Sequence, residues 1–303
     1  MRKAAGQMIL PVGCWCVCLC KNTSFKRNSS RIFWLSIGSG FSQKPRTLKV
    51  LMTIEVCIDS VDSALAAERG GAQRVELCSD LLEGGLTPGA GLIATVRRKI
   101  SLELFVMIRA RGGDFCPGEL EFEVMREEII EARRLGADGV VLGLLSPDGT
   151  IDVDRTRTLV EVAAPLPVTF HRAIDMTPDP IAAIEDVIET GAVRILSSGG
   201  SPQSMQGAAM LARMVEVAGE RIAIMVGSGV SPQNIAELAC ATGAREFHSS
   251  ARHAQPSPML YRKHGMAMGE VREREYQRSV VSEEQVRGLV AALAACRAPA
   301  PGV

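Results

Sequence analysis

Strand and helix patterns alternate along most of this chain, and this alternation is the strongest constraint on its fold. From Thr53 onward, short β-rich runs are separated by segments whose apolar residues recur at helical spacing, a pattern typical of a parallel sheet covered by helices. Eight strands are predicted, over Thr53–Asp59, Arg74–Ser79, Glu103–Arg109, Gly139–Leu144, Pro167–His171, Arg194–Ser198, Arg221–Gly227 and Arg245–Ser250. Eight strand–helix units in about 250 residues predict a single-domain α/β fold, a closed (β/α)8 barrel of the TIM type, with a doubly wound open sheet as the alternative.

A weak internal repeat favours the closed barrel. The dipeptides Gly71-Ala72, Gly136-Ala137, Gly191-Ala192 and Gly243-Ala244 each precede an even-numbered strand, at separations of 65, 55 and 52 residues. Glycine at such a position supplies the left-handed turn that ends a helix, and alanine packs closely against the sheet. Four equivalent positions at a spacing of two strand–helix units indicate a repeated architecture.

The first 51 residues differ in composition from the rest of the chain. They carry nine Lys and Arg residues and no carboxylate, whereas residues 52–303 carry the other 25 basic residues and all 34 acidic ones, a net charge of −9. We therefore divide the chain into a leader, residues 1–51, and a barrel domain, residues 52–303. The leader contains a Cys-x-Cys-x-Cys-x-Cys run at residues 14–20. It is expected to be disordered, to be a targeting segment or to result from a misassigned start.

Composition argues against two classes of partner. An acidic body provides no footprint for nucleic acid, and an aromatic content of 4% provides few platforms for base stacking. The uncharged stretch at residues 4–20 is short and interrupted by Pro11 and Gly13, so it is marginal as a membrane span. We expect the barrel to bind neither nucleic acid nor membrane.

Alternation along the predicted strands places polar side chains inside the barrel. Successive strand residues point to opposite faces, so Val56 and Ile58 directed at the helices leave their neighbours directed at the barrel axis. The polar and sulfur-containing residues placed inside by this rule are Glu55, Cys57, Asp59, Glu76, Cys78, Met107, Arg109, Thr169, His171, Glu246 and His248. Barrel interiors are usually filled by Val, Ile and Leu. The charged groups must therefore form a network that satisfies itself, or a hydrated or liganded functional site.

Two cysteines occupy matching places on the first two strands. Cys57 and Cys78 each follow an inward glutamate by two residues, and neighbouring strands lie about 4.8 Å apart, so the thiols can converge on one ion. Two thiolates without a further strong ligand suit Cu(I). Zn²⁺ requires four ligands, which nearby imidazoles and carboxylates can supply. The alternative is that both are ordinary buried cysteines, which behave as small hydrophobic residues.

Loops at the carboxyl ends of the strands indicate a site for an anionic ligand. Glycine-containing loops follow the third, sixth and seventh strands, where barrel enzymes often bind anions on backbone N–H groups. The candidate anion-binding residues are Arg109, Arg111, Asp114, Asp175, Ser198, Gly199, Gly227, Gly229 and His248. His171, Glu76 and Glu55 are the candidates for acid–base catalysis, because imidazole titrates near neutral pH and burial raises the pKa of a carboxyl group.

Several of these segments together resemble one protein family. They are Glu55-Val-Cys57-Ile-Asp59-Ser60, Glu68-Arg-Gly-Gly-Ala72, Arg74-Val-Glu-Leu-Cys78, Glu83-Gly-Gly-Leu-Thr-Pro88, Met107-Ile-Arg-Ala-Arg-Gly-Gly-Asp114, Pro167-Val-Thr-Phe-His-Arg-Ala-Ile-Asp175 and Glu246-Phe-His248. In this order, from about Thr53 to Met268, the chain resembles the CutC family, named for copper homeostasis. The resemblance implies a TIM-type barrel, a cytoplasmic location, homo-oligomers and Cu(I) bound by Cys57 and Cys78.

The chain departs from the family pattern in two places. The family lacks the leader, which favours Met52 as the true start. Met225-Val-Gly-Ser-Gly-Val230 replaces the more usual Met-Pro-Gly-Gly-Gly, which weakens the anion-binding interpretation of that loop.

Two functions follow from these observations. The first is a copper-homeostasis protein that binds Cu(I) through Cys57 and Cys78. The alternative is an enzyme that acts on a small phosphorylated or carboxylated metabolite, with His171 and Glu76 in acid–base roles and Arg109 and Arg111 on the anionic group. No nucleotide-binding fingerprint is present in the sequence, so no nucleotide cofactor is expected.

Overall fold

The computed structural model describes residues 52–266, 268, 271 and 274–296. The predictions made for the leader, residues 1–51, lie outside the described residues. This includes the cysteine run at residues 14–20.

Eight parallel strands form a closed barrel, which confirms the predicted fold. The strands are β1 (Thr53–Ile58), β2 (Arg74–Leu77), β3 (Glu103–Met107), β4 (Gly139–Leu142), β5 (Val168–Phe170), β6 (Arg194–Ser197), β7 (Ala223–Val226) and β8 (Glu246–Ser249). They follow one another around the barrel in chain order, and β8 pairs with β1 to close it. This pairing excludes the open-sheet alternative. Each strand is one to three residues shorter than predicted.

Helices connect the strands. They are α1 (Val61–Gly70), α2 (Ala90–Lys99), α3 (Glu119–Arg134), α4 (Val153–Ala163), α5 (Ala183–Thr190), α6 (Ala208–Ala218), α7 (Ile235–Thr242) and α8 (Glu283–Ala295). Ser60 caps α1 by accepting a hydrogen bond from the backbone N–H of Ser63 at 3.3 Å. Within the described part of the chain, no helix combines the length and apolar character needed to cross a membrane.

Helix ends match the repeat seen in the sequence. Gly71, Gly136, Gly191 and Gly243 follow α1, α3, α5 and α7 and have φ between 69° and 90°, the left-handed region that glycine adopts without steric cost. Each glycine therefore turns the chain from a helix into the next even-numbered strand. The predicted repeat is confirmed.

Helix α5 begins at Ala183 and not at the prolines Pro178 and Pro180 that precede it. The side chain of Asp179 accepts hydrogen bonds from the backbone N–H groups of Ile181 and Ala182. These bonds form a local turn that delays the helix by one turn.

An antiparallel hairpin between β8 and α8 has no counterpart in the predicted pattern. Strand β9 (Arg252–Pro256) pairs with β10 (Gln277–Val281), and residues 277–280 of β10 line the mouth of the barrel. Most residues of the two strands are exposed, so the apolar alternation that reveals a strand in a sequence is absent.

Charged residues close the amino-terminal end of the barrel interior. Arg74 Nε lies 2.5 Å from Glu55 Oε2, and Arg74 Nη2 lies 2.6 Å from Glu246 Oε2. Arg194 Nε is 2.5 Å from the same Glu246 oxygen. The Phe105 ring packs against both guanidiniums, at 5.0 Å from Arg74 and 5.4 Å from Arg194, a cation–π arrangement. This part of the polar interior satisfies itself, as one of the two alternatives predicted.

The Phe105 ring fits into this layer because β4 begins with glycine. Phe105 and Gly139 are neighbours in the β3–β4 register. A Cβ on Gly139 would lie 2.5 Å from two carbons of the Phe105 ring, closer than van der Waals contact allows. Any side chain at position 139 would displace the ring from the two guanidiniums.

We predict that Arg74→Met strongly destabilises the barrel. The substitution leaves the Glu55 carboxylate buried with its guanidinium partner removed, which typically costs about 3–5 kcal/mol. Urea denaturation of the full chain measures this loss. The matched control is Arg221→Met, which removes an arginine whose ion pair with Glu185 is solvent-exposed and is expected to leave the urea midpoint nearly unchanged. Equal effects of the two substitutions would contradict the prediction.

Candidate functional site

A cavity of about 870 Å³ opens at the carboxyl ends of the barrel strands, the end where barrel enzymes place their sites. The candidate residues that line it are Cys57, Glu76, Arg109, His171, Gly229 and His248. The candidates that are not among its lining residues are Glu55, Cys78, Arg111, Asp114, Asp175, Ser198, Gly199 and Gly227. The hairpin contributes one side of its mouth.

The two strand cysteines lie together, with Cys57 in the lining of this cavity and Cys78 buried beside it. Cys57 is in β1 and Cys78 directly follows β2, and their Sγ atoms are 4.0 Å apart. Cys57 is 8% exposed and Cys78 is 1% exposed. They meet because β1 and β2 are adjacent parallel strands in which Cys57 is paired with Glu76, two residues before Cys78.

The two thiols have opposite protonation tendencies. The hydrogen bond with Cys78 lowers the pKa of Cys57 to about 5, against the effect of burial, and His248 also lowers it. The same hydrogen bond and burial raise the pKa of Cys78 well above its ordinary value. At neutral pH the pair therefore holds one thiolate, on Cys57, and one thiol.

Glu76 lies between the cysteine pair and His248. Its Oε2 is 3.6 Å from Cys78 Sγ and 3.6 Å from His248 Nε2. Its other oxygen, Oε1, is buried and has no hydrogen-bond partner among the described residues. Burial raises the pKa of Glu76 to about 8, with the neighbouring Cys57 and Glu55 charges acting in the same direction.

His248 is held in place by Glu55. Its Nδ1 lies 2.8 Å from Glu55 Oε1, and the two residues are register partners in β8 and β1. Burial raises the pKa of Glu55, but the Arg74 guanidinium and His248 overcome this effect and lower it to about 2. Burial lowers the pKa of His248, but Glu76, Cys57 and Glu55 outweigh it and raise that pKa well above its ordinary value.

The Nη donors of Arg109 bind the protein backbone, whereas its buried Nε has no hydrogen-bond partner among the described residues. Its Nη1 donates to the carbonyl of Glu83 at 2.7 Å, and its Nη2 donates to the carbonyl of Gly113 at 2.7 Å. The guanidinium also packs 4.8 Å from the centroid of the Phe115 ring. Arg109 thereby fixes two loops at the rim of the cavity.

Arg111 and Asp114 lie away from the cavity. Arg111 Nε donates to Glu121 at 2.6 Å, and its Nη2 donates to Asp114 at 3.0 Å. Asp114 also accepts a hydrogen bond from the backbone N–H of Cys116. These contacts connect the loop after β3 to the start of α3.

The carboxylate of Asp175 fills the backbone cradle after β6. It accepts hydrogen bonds from the N–H groups of Ser198 and Gly200 and from the hydroxyls of Ser197 and Ser198. The N–H of Gly199 donates to Ser197 Oγ. An internal carboxylate therefore occupies the donors that the sequence suggested for an external anion.

The loop after β7 approaches neighbouring side chains closely. A Cβ on Gly227 would lie 2.5 Å from Leu196 Cδ1 and 3.4 Å from His248 Cβ. Its backbone N–H donates to the carbonyl of Ser197. Gly227 thus lets the chain pass beside His248, and Gly229 reaches the cavity wall.

His171 is buried beside the cavity and is neutral. Its Nδ1 accepts a hydrogen bond from the backbone N–H of Ala173 at 3.3 Å, and its ring packs against Phe115. Burial lowers the pKa of His171 to about 3, and the nearby Arg109 charge lowers it further.

The sequence analysis did not identify three arginines that shape the site. Arg74 and Arg194 have the inward orientation of Glu76 and Leu196, which lie two residues further along the same strands, so alternation alone predicts their position. Arg252 at the start of the hairpin forms an ion pair with Asp59 at 2.9 Å, and no sequence signal marked that contact.

Residues 52–253 match the model of the CutC family. A CutC family protein of Chromobacterium violaceum is 50% identical over 240 residues, which cover 79% of this chain and 97% of that protein. The copper homeostasis protein cutC homolog of Homo sapiens is 45% identical over 237 residues, which cover 78% of this chain and 87% of that protein.

A solved structure shows the same barrel. It is the crystal structure of a protein assigned as the copper homeostasis protein CutC of Streptococcus agalactiae, with 33% sequence identity and a TM-score of 0.63. The match covers 66% of this chain and 99% of that protein. Sequence and structure agree, and the chain belongs to the CutC family.

Proposed function

We propose that this protein is a cytoplasmic copper-homeostasis protein that binds one Cu(I) ion between Cys57 and Cys78. The observation that carries the proposal is the 4.0 Å separation of two buried sulfur atoms, one on Cys57 in the cavity lining and the other on Cys78 beside it. Membership in the CutC family supports a role in copper homeostasis, and the names of the mammalian relatives refer to it. The family resemblance also supports a homo-oligomeric protein.

The donor set suits a soft monovalent ion. Thiolates favour Cu(I) over harder ions. With metal–sulfur bonds of about 2.3 Å, as found for zinc thiolates, a 4.0 Å separation corresponds to a sulfur–metal–sulfur angle of about 120°. The two sulfurs therefore bridge one ion without movement of the strands.

The cavity gives copper a route to the thiols. Its lining includes Cys57 together with the rim residues of the β10 strand and the loop after β2. A volume of about 870 Å³ is larger than a bare ion needs, and it accommodates a small carrier molecule or a peptide side chain that delivers Cu(I). Copper is cargo in this proposal and not a permanent cofactor.

The alternative metabolite-processing function has less support from the geometry. The Nη groups of Arg109 bind backbone carbonyls, and donors of Arg111 bind Asp114 and Glu121. Asp175 occupies the cradle after β6. Most of the cationic and backbone groups assigned to an external anion are thus engaged within the protein.

We predict that Cys57→Ser and Cys78→Ser each abolish stoichiometric Cu(I) binding. Each substitution removes one of the two sulfur ligands, which is half of the soft donors of the site. The measurement is competition with a colorimetric Cu(I) chelator under anaerobic conditions, with the full chain in which the four leader cysteines at residues 14–20 are serine. This background removes competing thiols, and it is expected to bind one Cu(I) per chain.

The matched control is the double variant Cys240→Ser/Cys296→Ser. Both cysteines are exposed. Partial burial and then the neighbouring Cys240 raise the pKa of Cys296, yet neither cysteine lines the cavity. The control should bind one Cu(I) with unchanged affinity. Retention of one tightly bound Cu(I) in Cys57→Ser would overturn the proposed function.

We predict that Cu(I) affinity rises with pH. Because the pair holds one thiolate and one thiol at neutral pH, binding by both sulfurs releases one proton. The apparent affinity should increase about tenfold per pH unit between about pH 6 and 8, and more steeply below the pKa of Cys57 at about 5. Chelator competition at a series of pH values measures the slope, and an affinity independent of pH would contradict it.

A further inference from the structure

Four potential metal donors lie near one another at or beside the cavity lining, and a two-thiolate copper site uses two of them. They come from three adjacent strands, β8, β1 and β2, which the barrel closure brings side by side. The donor atoms are Cys57 Sγ, Cys78 Sγ, a Glu76 carboxylate oxygen and His248 Nε2. Cys57, Glu76 and Cys78 have donor atoms within 4.8 Å of one another, and so do Glu76 and His248.

Three of the six separations between these donors are close to those of a tetrahedral zinc site. Zinc bonds of about 2.0–2.3 Å to N, O and S ligands place neighbouring ligand atoms about 3.3–3.8 Å apart in a tetrahedron. Glu76 Oε2 is 3.6 Å from Cys78 Sγ and 3.6 Å from His248 Nε2. The two sulfurs are 4.0 Å apart.

His248 is oriented as metal-binding histidines are. Its Nδ1 is held by Glu55 at 2.8 Å, which directs Nε2 toward Glu76. A carboxylate on the far nitrogen is the usual outer partner of a zinc-bound histidine, because it fixes the ring and its tautomer. Arg74 holds the other oxygen of Glu55, so the outer partner is itself fixed.

Glu76 carries an unsatisfied group at this position. The residue is 3% exposed, and its Oε1 has no hydrogen-bond partner within the described part of the chain. A buried carboxyl oxygen without a partner is costly in a folded protein. A cation bound to Glu76 would remove that cost.

We propose that the same pocket binds Zn²⁺ with four protein ligands, Cys57, Cys78, Glu76 and His248. The inference goes beyond the proposed copper function and does not depend on it, because it requires the glutamate and the imidazole in addition to the thiols. The two ions share both sulfurs and therefore exclude one another. Zn²⁺ needs all four ligands, whereas Cu(I) is satisfied by the thiolates.

The test measures Zn²⁺ and Cu(I) binding to the same variants. The protein is the full chain with serine at the four leader cysteines, stripped of metal with a chelator. We expect one Zn²⁺ per chain, and we expect Co²⁺ used as a probe to give the intense visible bands of tetrahedral coordination with thiolate ligands. His248→Gln and Glu76→Gln should each weaken Zn²⁺ binding by at least about 100-fold, with Cu(I) affinity changed by less than about tenfold.

Matched controls come from similar residues outside the pocket. Glu128→Gln replaces a carboxyl group whose pKa burial also raises, and His253→Gln replaces an exposed histidine of β9. Both should leave Zn²⁺ and Cu(I) binding unchanged. Retained Cu(I) binding in His248→Gln and Glu76→Gln shows that these variants are folded.

The outcomes separate this inference from the copper proposal. Three results would each overturn the zinc site, whatever the protein does with copper. They are the absence of Zn²⁺ binding, an octahedral Co²⁺ spectrum, and a Zn²⁺ affinity that is unchanged in both His248→Gln and Glu76→Gln. Zn²⁺ binding without Cu(I) binding overturns the copper proposal and leaves the zinc site. If both variants unfold, X-ray absorption of the zinc-loaded unsubstituted protein tests the ligand set instead. We expect two sulfur ligands and two nitrogen or oxygen ligands. Any other set would contradict the inference.

Discussion

A carboxylate buried inside a barrel must be neutralised, and the ion pair of Glu55 with Arg74 meets this requirement for the whole site. One oxygen of Glu55 lies 2.5 Å from Arg74, and the other lies 2.8 Å from His248. The guanidinium and the imidazole together lower the pKa of Glu55 to about 2 despite complete burial. The pair thus connects the ion pairs at the amino-terminal end of the barrel interior to the cavity at the carboxyl-terminal end, where His248 lies near the cysteine pair. Without it, the imidazole would have no fixed orientation toward the cysteine pair.

Strand alternation predicts much of this arrangement from sequence, because a β-strand directs every second side chain to the same face. It indicates the eight strands and directs the side chains of Cys57, Glu76 and His248 to the interior, and the structure has all three lining the cavity. It does not predict contacts made by loops. The carboxylate of Asp175 in the cradle after β6, and the backbone carbonyls bound by Arg109, depend on loop conformations that no local pattern encodes. The hairpin was missed because its strands are polar and exposed.

The pocket combines soft and harder donors within a few ångströms. The cysteine pair alone suits Cu(I), and the adjacent carboxylate and imidazole add the ligands that a divalent ion requires. Their placement follows from the barrel register, since β8, β1 and β2 are neighbours and the cysteine of β1 is paired with Glu76 of β2. In the two proposals, Cu(I) uses two of these ligands and Zn²⁺ uses all four. Cys57 lines the large cavity, so a delivered ion would reach its sulfur from that side.

A crystal structure of the protein loaded anaerobically with one equivalent of Cu(I) tests the central claim most directly. Anomalous scattering at the copper edge locates the ion independently of the surrounding density. The account predicts a single copper peak between Cys57 Sγ and Cys78 Sγ, bonded to both. Copper bound elsewhere in the barrel domain, with these two sulfur atoms unligated, would contradict it.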